Sequence, residues 1–443
     1  MEKFKKRELL EAVASLVKVN DTISRNDRLN AEAVVNALTD CQETAIMIGS
    51  CIEEHYGECG TESVLALEEY CESVYQMSLV VYDTNACRKM AKRVQKQLIN
   101  IGNRIKFDLP DDKKEIVFLP YKAAMWDSLE SVWKKACDAP DSDAYVIPIP
   151  YYDRNPDGTF GTMHYEADEY PDYVPVVSFN DYKLSERRPD IIYIHNPYDE
   201  CNRVTSVHPA FYARELRKYT DMLIYIPYFV AVNDAVERHF CTMPGVFYAD
   251  RVIVQSEKVR KIYIEELHKY EEEHDCKGAL GNISEKIVAG GSPKFDKVMS
   301  LSREDFSIPE KWSRLIEKAD GDRKKIILYN TTIESMLIDT DKMLDKIENV
   351  LNVFKDNPET LLLWRPHPLL KATLRAMRSE AFGRYEQIES EYINGGWGIY
   401  DDTSDIYRAI ALSDAYYGDL SSVVELYKRT GKPIMIQKVA IRS

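Results

Sequence analysis

The chain has 443 residues, 45% of them apolar and 30% charged, with a formal net charge of -15. That length holds about three domains, each large enough to bury its own core. The acidic balance excludes a nucleic-acid footprint, which needs a concentrated positive face, and nine scattered cysteines without a Cys-x-x-Cys pair fit a reducing cytosol.

Residues 1–110 read as a helical extension. Leu9, Leu10, Val13, Leu16 and Val17 form one apolar stripe, Ala31 to Ile52 a second helix and Thr61 to Val81 a third, with breaks expected at Asn20-Asp21 and Gly57 to Gly60. Met1 to Glu8 leads into an amphipathic helix rather than an apolar h-region, so no secretory signal is expected and the chain is read as cytoplasmic. Met222 to Val232, the longest nearly apolar run, is too short to span a bilayer. Between Asn85 and Phe107 stand seven Lys or Arg and no Asp or Glu, with Met90, Val94, Leu98, Ile101 and Ile105 as an apolar seam. Such a helix suits an anionic surface, here the inner face of a plasma membrane, or equally a place in a bundle with its basic face solvated.

After Pro110 the period changes. Glu115 to Leu119 reads as a buried strand, Ala123 to Ala136 as a helix and Ala144 to Ile149 as a second strand, one βαβ unit. Further strands are expected at Asp190–Ile194, Met222–Ile226, Arg251–Val254 and Lys286–Ala289, giving residues 111–300 a parallel, doubly wound sheet. No G-x-G-x-x-G follows the first strand, against a dinucleotide fold. Tyr151 to Pro175 reads as a long loop rich in Tyr, Asp and Glu, placed to line an acceptor. Polar residues 300–323 form the crossing into a second sheet in 301–443, with strands at Lys325–Asn330, Leu361–Trp364, Trp397–Tyr400, Ala415–Tyr417 and Pro433–Ile436.

Chemistry concentrates at the ends of those last strands. Ala415-Tyr-Tyr-Gly418 runs into Asp419, Ser421 and Ser422, then into a helical pattern, so both serines fall where free backbone N–H groups and a positive dipole end attract an anion. They equally suit a plain N-cap. Leu361-Leu-Leu-Trp364 runs into Arg365-Pro-His-Pro368, so Arg365 and His367 are expected at the same sheet edge, where an open α/β sheet binds ligands. A guanidinium, an imidazole and two hydroxyls suit a pyrophosphate. Thr331 and Thr332 end another strand facing the cleft, and Glu425, one turn past the serines, is placed to take ribose hydroxyls. Cys201, His195, His208, His239 and Cys241 match no metal-ligand spacing, and no acidic metal cluster is evident, so no metal site is expected.

Gly418-Asp-Leu-Ser-Ser-Val423 with Gly431-Lys-Pro-Ile-Met435, Arg365-Pro-His-Pro368, Ile327-Leu-Tyr-Asn-Thr-Thr332 and Gly291-Ser-Pro-Lys-Phe-Asp296 together resemble the ordered motifs of the CDP-glycerol glycerophosphotransferase family of teichoic acid polymerases and primases. The resemblance covers residues 111 to 443 and is strongest in the C-terminal third. It implies a glycosyltransferase B-type fold, α/β with two Rossmann-like domains, here behind an α-helical N-terminal extension. It also implies transfer of a polyol phosphate from a CDP-activated donor to a hydroxyl of a cell-surface glycan or lipid-linked precursor, with no cofactor. Asp296 corresponds to the family's Gly-x-Pro-x-x-Asp turn, and Arg365, His367, Thr332, Asp419, Ser421, Ser422 and Glu425 make up the expected nucleotide and phosphate site. A sugar-nucleotide glycosyltransferase and a nucleotide-binding protein without catalysis are alternatives on the same fold. The chain departs from the family at its His-Gly-Thr-Pro stretch, where the positional match is Pro227-Tyr-Phe-Val230. A hydroxyl nucleophile needs a base, and His195 with nearby Asp199, at another strand end, is the expected pair, ahead of His208 and His239.

Overall fold

The computed structural model describes residues 6–25, 30–318, 320–355, 357–403 and 405–437. Residues 1–5, on which the reading of the chain's opening partly rests, lie outside the described residues, as do 438–443. The chain divides into two compact units, residues up to Lys114 with Ser185–Arg187, and the remainder.

The first unit is an antiparallel ring of four helices, α1 (Lys6–Arg25), α2 (Ala31–Tyr56), α3 (Thr61–Leu79) and α4 (Thr84–Phe107). Successive helices touch, and α4 closes the ring against α1. The break expected at Asn20-Asp21 does not occur: Asn20 is buried inside α1, and its amide donates to the Ala91 carbonyl (3.1 Å) and to Gln95 (2.8 Å) of α4. A polar residue with two partners across a helix pair needs no turn. Gly57, at φ +51, does end α2, as expected of a residue free of the Cβ penalty. Val94, Leu98, Ile101 and Ile105 are fully buried in this bundle, so the seam of α4 is spent on its neighbours and its basic side chains face solvent. Among the described residues, no helix is long and apolar enough to cross a membrane.

The second unit holds two open sheets and fits the α/β fold class with two Rossmann-like halves. The first sheet has the order β2-β1-β5-β7-β8-β9, from strands β1 (Lys114–Leu119), β2 (Ser142–Val146), β5 (Ile191–Ile194), β7 (Met222–Tyr225), β8 (Arg251–Val254) and β9 (Ile287–Ala289). Pairing from β1 through β9 is parallel, and apolar clusters cover both faces. One helical stretch expected from Ala123 to Ala136 is divided into a 3-10 turn, Ala123–Ser128, and α5 (Glu130–Asp138).

The Tyr151–Pro175 segment is not simply a loop. It forms β3 (Tyr151–Arg154) and β4 (Phe160–His164), which join β6 (Thr205–Val207) in an antiparallel sheet of order β4-β3-β6. These strands are short and carry Asp153, Arg154 and Thr162, so no apolar alternation announces them.

The second sheet, order β12-β11-β10-β13-β14, is parallel throughout: β10 (Lys325–Thr331), β11 (Thr360–Pro366), β12 (Ile399–Tyr400), β13 (Ala415–Gly418) and β14 (Ile434–Ile436). Leu328, Leu361 and Leu363 bury one face, and Tyr329, Leu362 and Trp364 the other, which is why these strands read as unbroken apolar runs. Chain order reverses direction between β10 and β13, and the crevice beyond such a reversal is where an open sheet takes ligands.

Gly418 makes that reversal tight. Its φ is +146°, and a Cβ there would lie 2.3 Å from the Asn330 carbonyl oxygen. We expect Gly418→Ala to cost about 2 to 4 kcal/mol in urea unfolding, from strain and overpacking together. An unchanged midpoint would mean that β13 shifts freely against β10.

The two halves are bonded to each other. Asp127, on the turn after β1, accepts from the Tyr407 hydroxyl (2.5 Å) and from Lys294 (2.9 Å). Val230 of the first half is buried with Phe295, Leu328 and Val424.

Candidate functional site

At the β10–β13 reversal, Thr332 caps the helix Ile333–Ile338: its hydroxyl accepts the Ser335 N–H (3.2 Å). Its own N–H donates to Asp419 Oδ2 (2.8 Å), and Lys346 donates to the other carboxylate oxygen (2.8 Å). Asp419, expected at the nucleotide and phosphate site, is thus a buried bond between β10 and β13 with its charge met by Lys346. Ser421 holds the N-cap position of the helix Ser422–Lys428 without making the cap bond; its hydroxyl accepts from the Asn330 amide (3.3 Å). Ser422, exposed, opens the helix.

Arg365 and His367 separate in role. Arg365 is buried, donating to Asp401 (2.5 Å) and to the Thr403 carbonyl (2.7 Å), with Arg408 on the same carboxylate (3.3 Å). The guanidinium expected on a pyrophosphate is therefore enclosed in an ion pair, because a buried charge requires a partner. His367 is exposed. Its N–H donates to the Thr331 carbonyl (2.9 Å), and its Nδ1 accepts the Leu369 N–H (3.1 Å), which assigns the proton to Nε2. Desolvation of the ring, reinforced by the charge of Arg365, pushes its pKa down and favours the neutral imidazole with its proton on Nε2.

Glu425, expected at ribose hydroxyls, is engaged within the fold. It is buried, accepts the Asn233 N–H of the first half (3.0 Å) and is paired with Lys428 (2.8 Å). Asp296 likewise is held by Ser131 (2.8 Å).

The expected base is corrected as well. His195 is fully buried at the end of β5, its Nε2 accepting the Tyr121 N–H (3.1 Å) and its Nδ1 facing the Ser128 hydroxyl (2.9 Å). Burial pushes its pKa to about 3, against the opposing pull of Asp127. With both nitrogens engaged away from solvent, His195 ties the ends of β1 and β5 and is not placed to receive a proton. Asp199, also buried and at φ +45°, accepts the Ala213 N–H (2.9 Å), and burial pushes its carboxyl up to about 7. The two do not form a pair: each is bonded elsewhere. His208 caps its own turn through Ala210 (3.2 Å), and His239 lies in the open beside Glu237 (3.2 Å). In the Pro227–Val230 stretch, the Tyr228 hydroxyl meets that of Tyr198 (2.9 Å).

Sequence reasoning missed a different histidine. His164, on β4, is bonded through Nε2 to Asp153 (2.8 Å), both side chains are partly exposed, and the ring stacks on Tyr151 with centroids 4.9 Å apart. Tyr151 in turn stands edge-on to Tyr121, at the end of β1, so the small sheet sits at the carboxyl edge of the first sheet. The Tyr, Asp and Glu content of Tyr151–Pro175 is a signal for this stretch, but no local pattern encodes the pairing of His164 with Asp153 across the hairpin. Among the described residues, no group of three or more His, Cys, Asp or Glu is arranged to hold a metal ion.

No family model matches the chain, and no curated protein matches it. Solved structures do. A Staphylococcus aureus MnaA–UDP co-structure has 11% identity and a TM-score of 0.43 over 73% of this chain and 78% of that one. A wall teichoic acid polymerase TagF variant soaked with CDPG has 18% identity and a TM-score of 0.41 over 80% and 78%. UDP-GlcNAc 2-epimerase from Neisseria meningitidis bound to UDP-GlcNAc has 12% identity and a TM-score of 0.43 over 73% and 82%.

Proposed function

We propose that the protein is a transferase that takes a CDP-activated polyol phosphate at the β10–β13 reversal and passes the polyol phosphate to a hydroxyl of a glycan or lipid-linked acceptor. One observation carries the reading: Thr332, Ser421, Ser422 and His367, which lie in the ordered motifs, follow the carboxyl ends of the neighbouring strands β10, β13 and β11. In this reaction the acceptor oxygen attacks the phosphorus bearing the polyol, the P–O bond to CMP breaks, and the hydroxyl proton passes to a base. Neutral donors would hold the departing CMP: the His367 Nε2–H, serine hydroxyls and backbone N–H groups at helix starts. Their advantage is positional, because fixed dipoles need no reorganisation as charge develops. We assign the base to the His164–Asp153 pair, in which a carboxylate orients an imidazole that solvent reaches.

A thermal-shift panel of CDP-, UDP- and GDP-linked donors tests the reading, since a ligand bound only to the folded state raises its midpoint. CDP selectivity with turnover supports it. UDP selectivity turns it into a sugar-nucleotide transferase, and binding without turnover leaves a nucleotide-binding protein. His367→Ala should weaken CDP binding by about 1.5 to 3 kcal/mol, the range for a hydrogen bond to a charged group, with stability retained. His164→Gln should lower kcat by about 100-fold to 10,000-fold while CDP affinity stays level. Full turnover in that variant would remove His164 as the base.

A further inference from the structure

Charge in the helical unit is sorted by helix. α2 and α3 carry nine Asp or Glu and no Lys or Arg, whereas α4 carries seven Lys or Arg and no Asp or Glu. Between α2 and α3 runs a groove of about 440 Å³, with Ala45, Gly49, Leu67 and Cys71 along it and Glu53, Glu68 and Glu72 at its rim. Ile46 and Tyr75, also lining it, are 62% and 50% exposed, an apolar surface left uncovered. Small residues line the groove, and a Cβ on Gly49 would stand in ordinary contact with Leu67, at 3.9 Å.

The chain itself contains the complementary shape. On its solvent side α4 presents Lys92, Arg93 and Lys96, and then two uncovered apolar side chains, Ile99 (54% exposed) and Phe107 (70% exposed). Within one copy the same pairing already operates on a small scale, since Arg104 of α4 reaches Glu62 of α3 at 3.5 Å. A helix face that carries both basic and apolar side chains is what an acid-rimmed apolar groove receives.

We propose that the α2–α3 groove is occupied by the basic face of α4 from a second copy of this chain. Both surfaces adjoin α3, which touches α2 on one side and α4 on the other. A two-fold axis beside α3 therefore brings each α4 to the other copy's groove, and the contact closes as a dimer instead of propagating. Rim pairs between exposed charges are screened by salt, so the association is strongest at low ionic strength.

Sedimentation equilibrium on the full chain tests this. The wild type should dimerise at about 50 mM salt and weaken by about tenfold or more at about 500 mM. A Lys92→Glu, Arg93→Glu, Lys96→Glu variant and a Glu53→Lys, Glu68→Lys, Glu72→Lys variant should each be monomeric, with helical circular dichroism and thermal midpoint retained. Mixed together they should form a heterodimer, because both contacts of the two-fold pair then join opposite charges. A wild type that is monomeric at both salts, a dimer indifferent to either charge reversal, or variants that stay apart on mixing would each overturn the proposal. So would a monomer that sediments with phosphatidylserine vesicles through α4 alone, which would assign the basic face to a lipid surface.

Discussion

Arg365→Ala should lose about 3 to 5 kcal/mol of stability in urea unfolding, because it strips the partner from a buried carboxylate. Asp401 is sealed from solvent, and Arg365 is its closest cation at 2.5 Å; Arg408, at 3.3 Å, covers it only in part. Desolvating a lone charge costs more than its pairing returns, so removing one member is far worse than never having had the pair. The double variant Arg365→Ala, Asp401→Ala should recover a large part of the loss, and His367→Ala should cost less than about 1 kcal/mol, being exposed. A variant Arg365→Ala that unfolds like the wild type yet no longer binds CDP would return the guanidinium to the ligand.

The stability of Asp199→Asn should diverge from that of the wild type as pH rises from about 4 to about 8. In the folded chain the Asp199 carboxyl titrates near 7, above its unfolded range, so its protonated form stabilises the fold. That contribution is complete at low pH and is lost as pH rises through 7. His195 has the opposite sign. Its folded pKa, about 3, lies below the unfolded range, so the buried neutral ring stabilises the fold above pH 6.5, and the contribution is lost as pH falls toward 3. Between about pH 4 and 6.5 the two slopes oppose each other and flatten the wild-type curve. Asparagine imitates the protonated aspartate, keeps an acceptor for the Ala213 N–H and tolerates the positive φ at this position. Above pH 7 it should therefore be the more stable protein, by an amount on the order of 4 kcal/mol at most. Below that, the His195 slope stands alone, with stability rising from about pH 4 to 6.5. Thermal midpoints that track the wild type at every pH would mean that Asp199 ionises without penalty.

Sequence by itself determined most strands of the two parallel sheets and the residues at their ends. Ile326 to Tyr329 and Leu361 to Trp364 are legible as strands because a sheet covered on both faces demands unbroken apolar runs, and this is a property of adjacent residues. Thr332, His367, Ser421 and Ser422 are legible as strand-end residues for the same local reason. Tertiary structure alone decided which polar side chains are free. Arg365 meets Asp401 36 positions away, Lys346 meets Asp419 across 73, and Glu425 meets Asn233 across 192. No local pattern encodes such partners, since each is set by strand order and by how two halves close on each other. The buried place of His195 and the pairing of His164 with Asp153 follow likewise from which strands lie side by side. Burial and partners, and not residue type, determine whether a titratable group holds the fold together or meets a ligand.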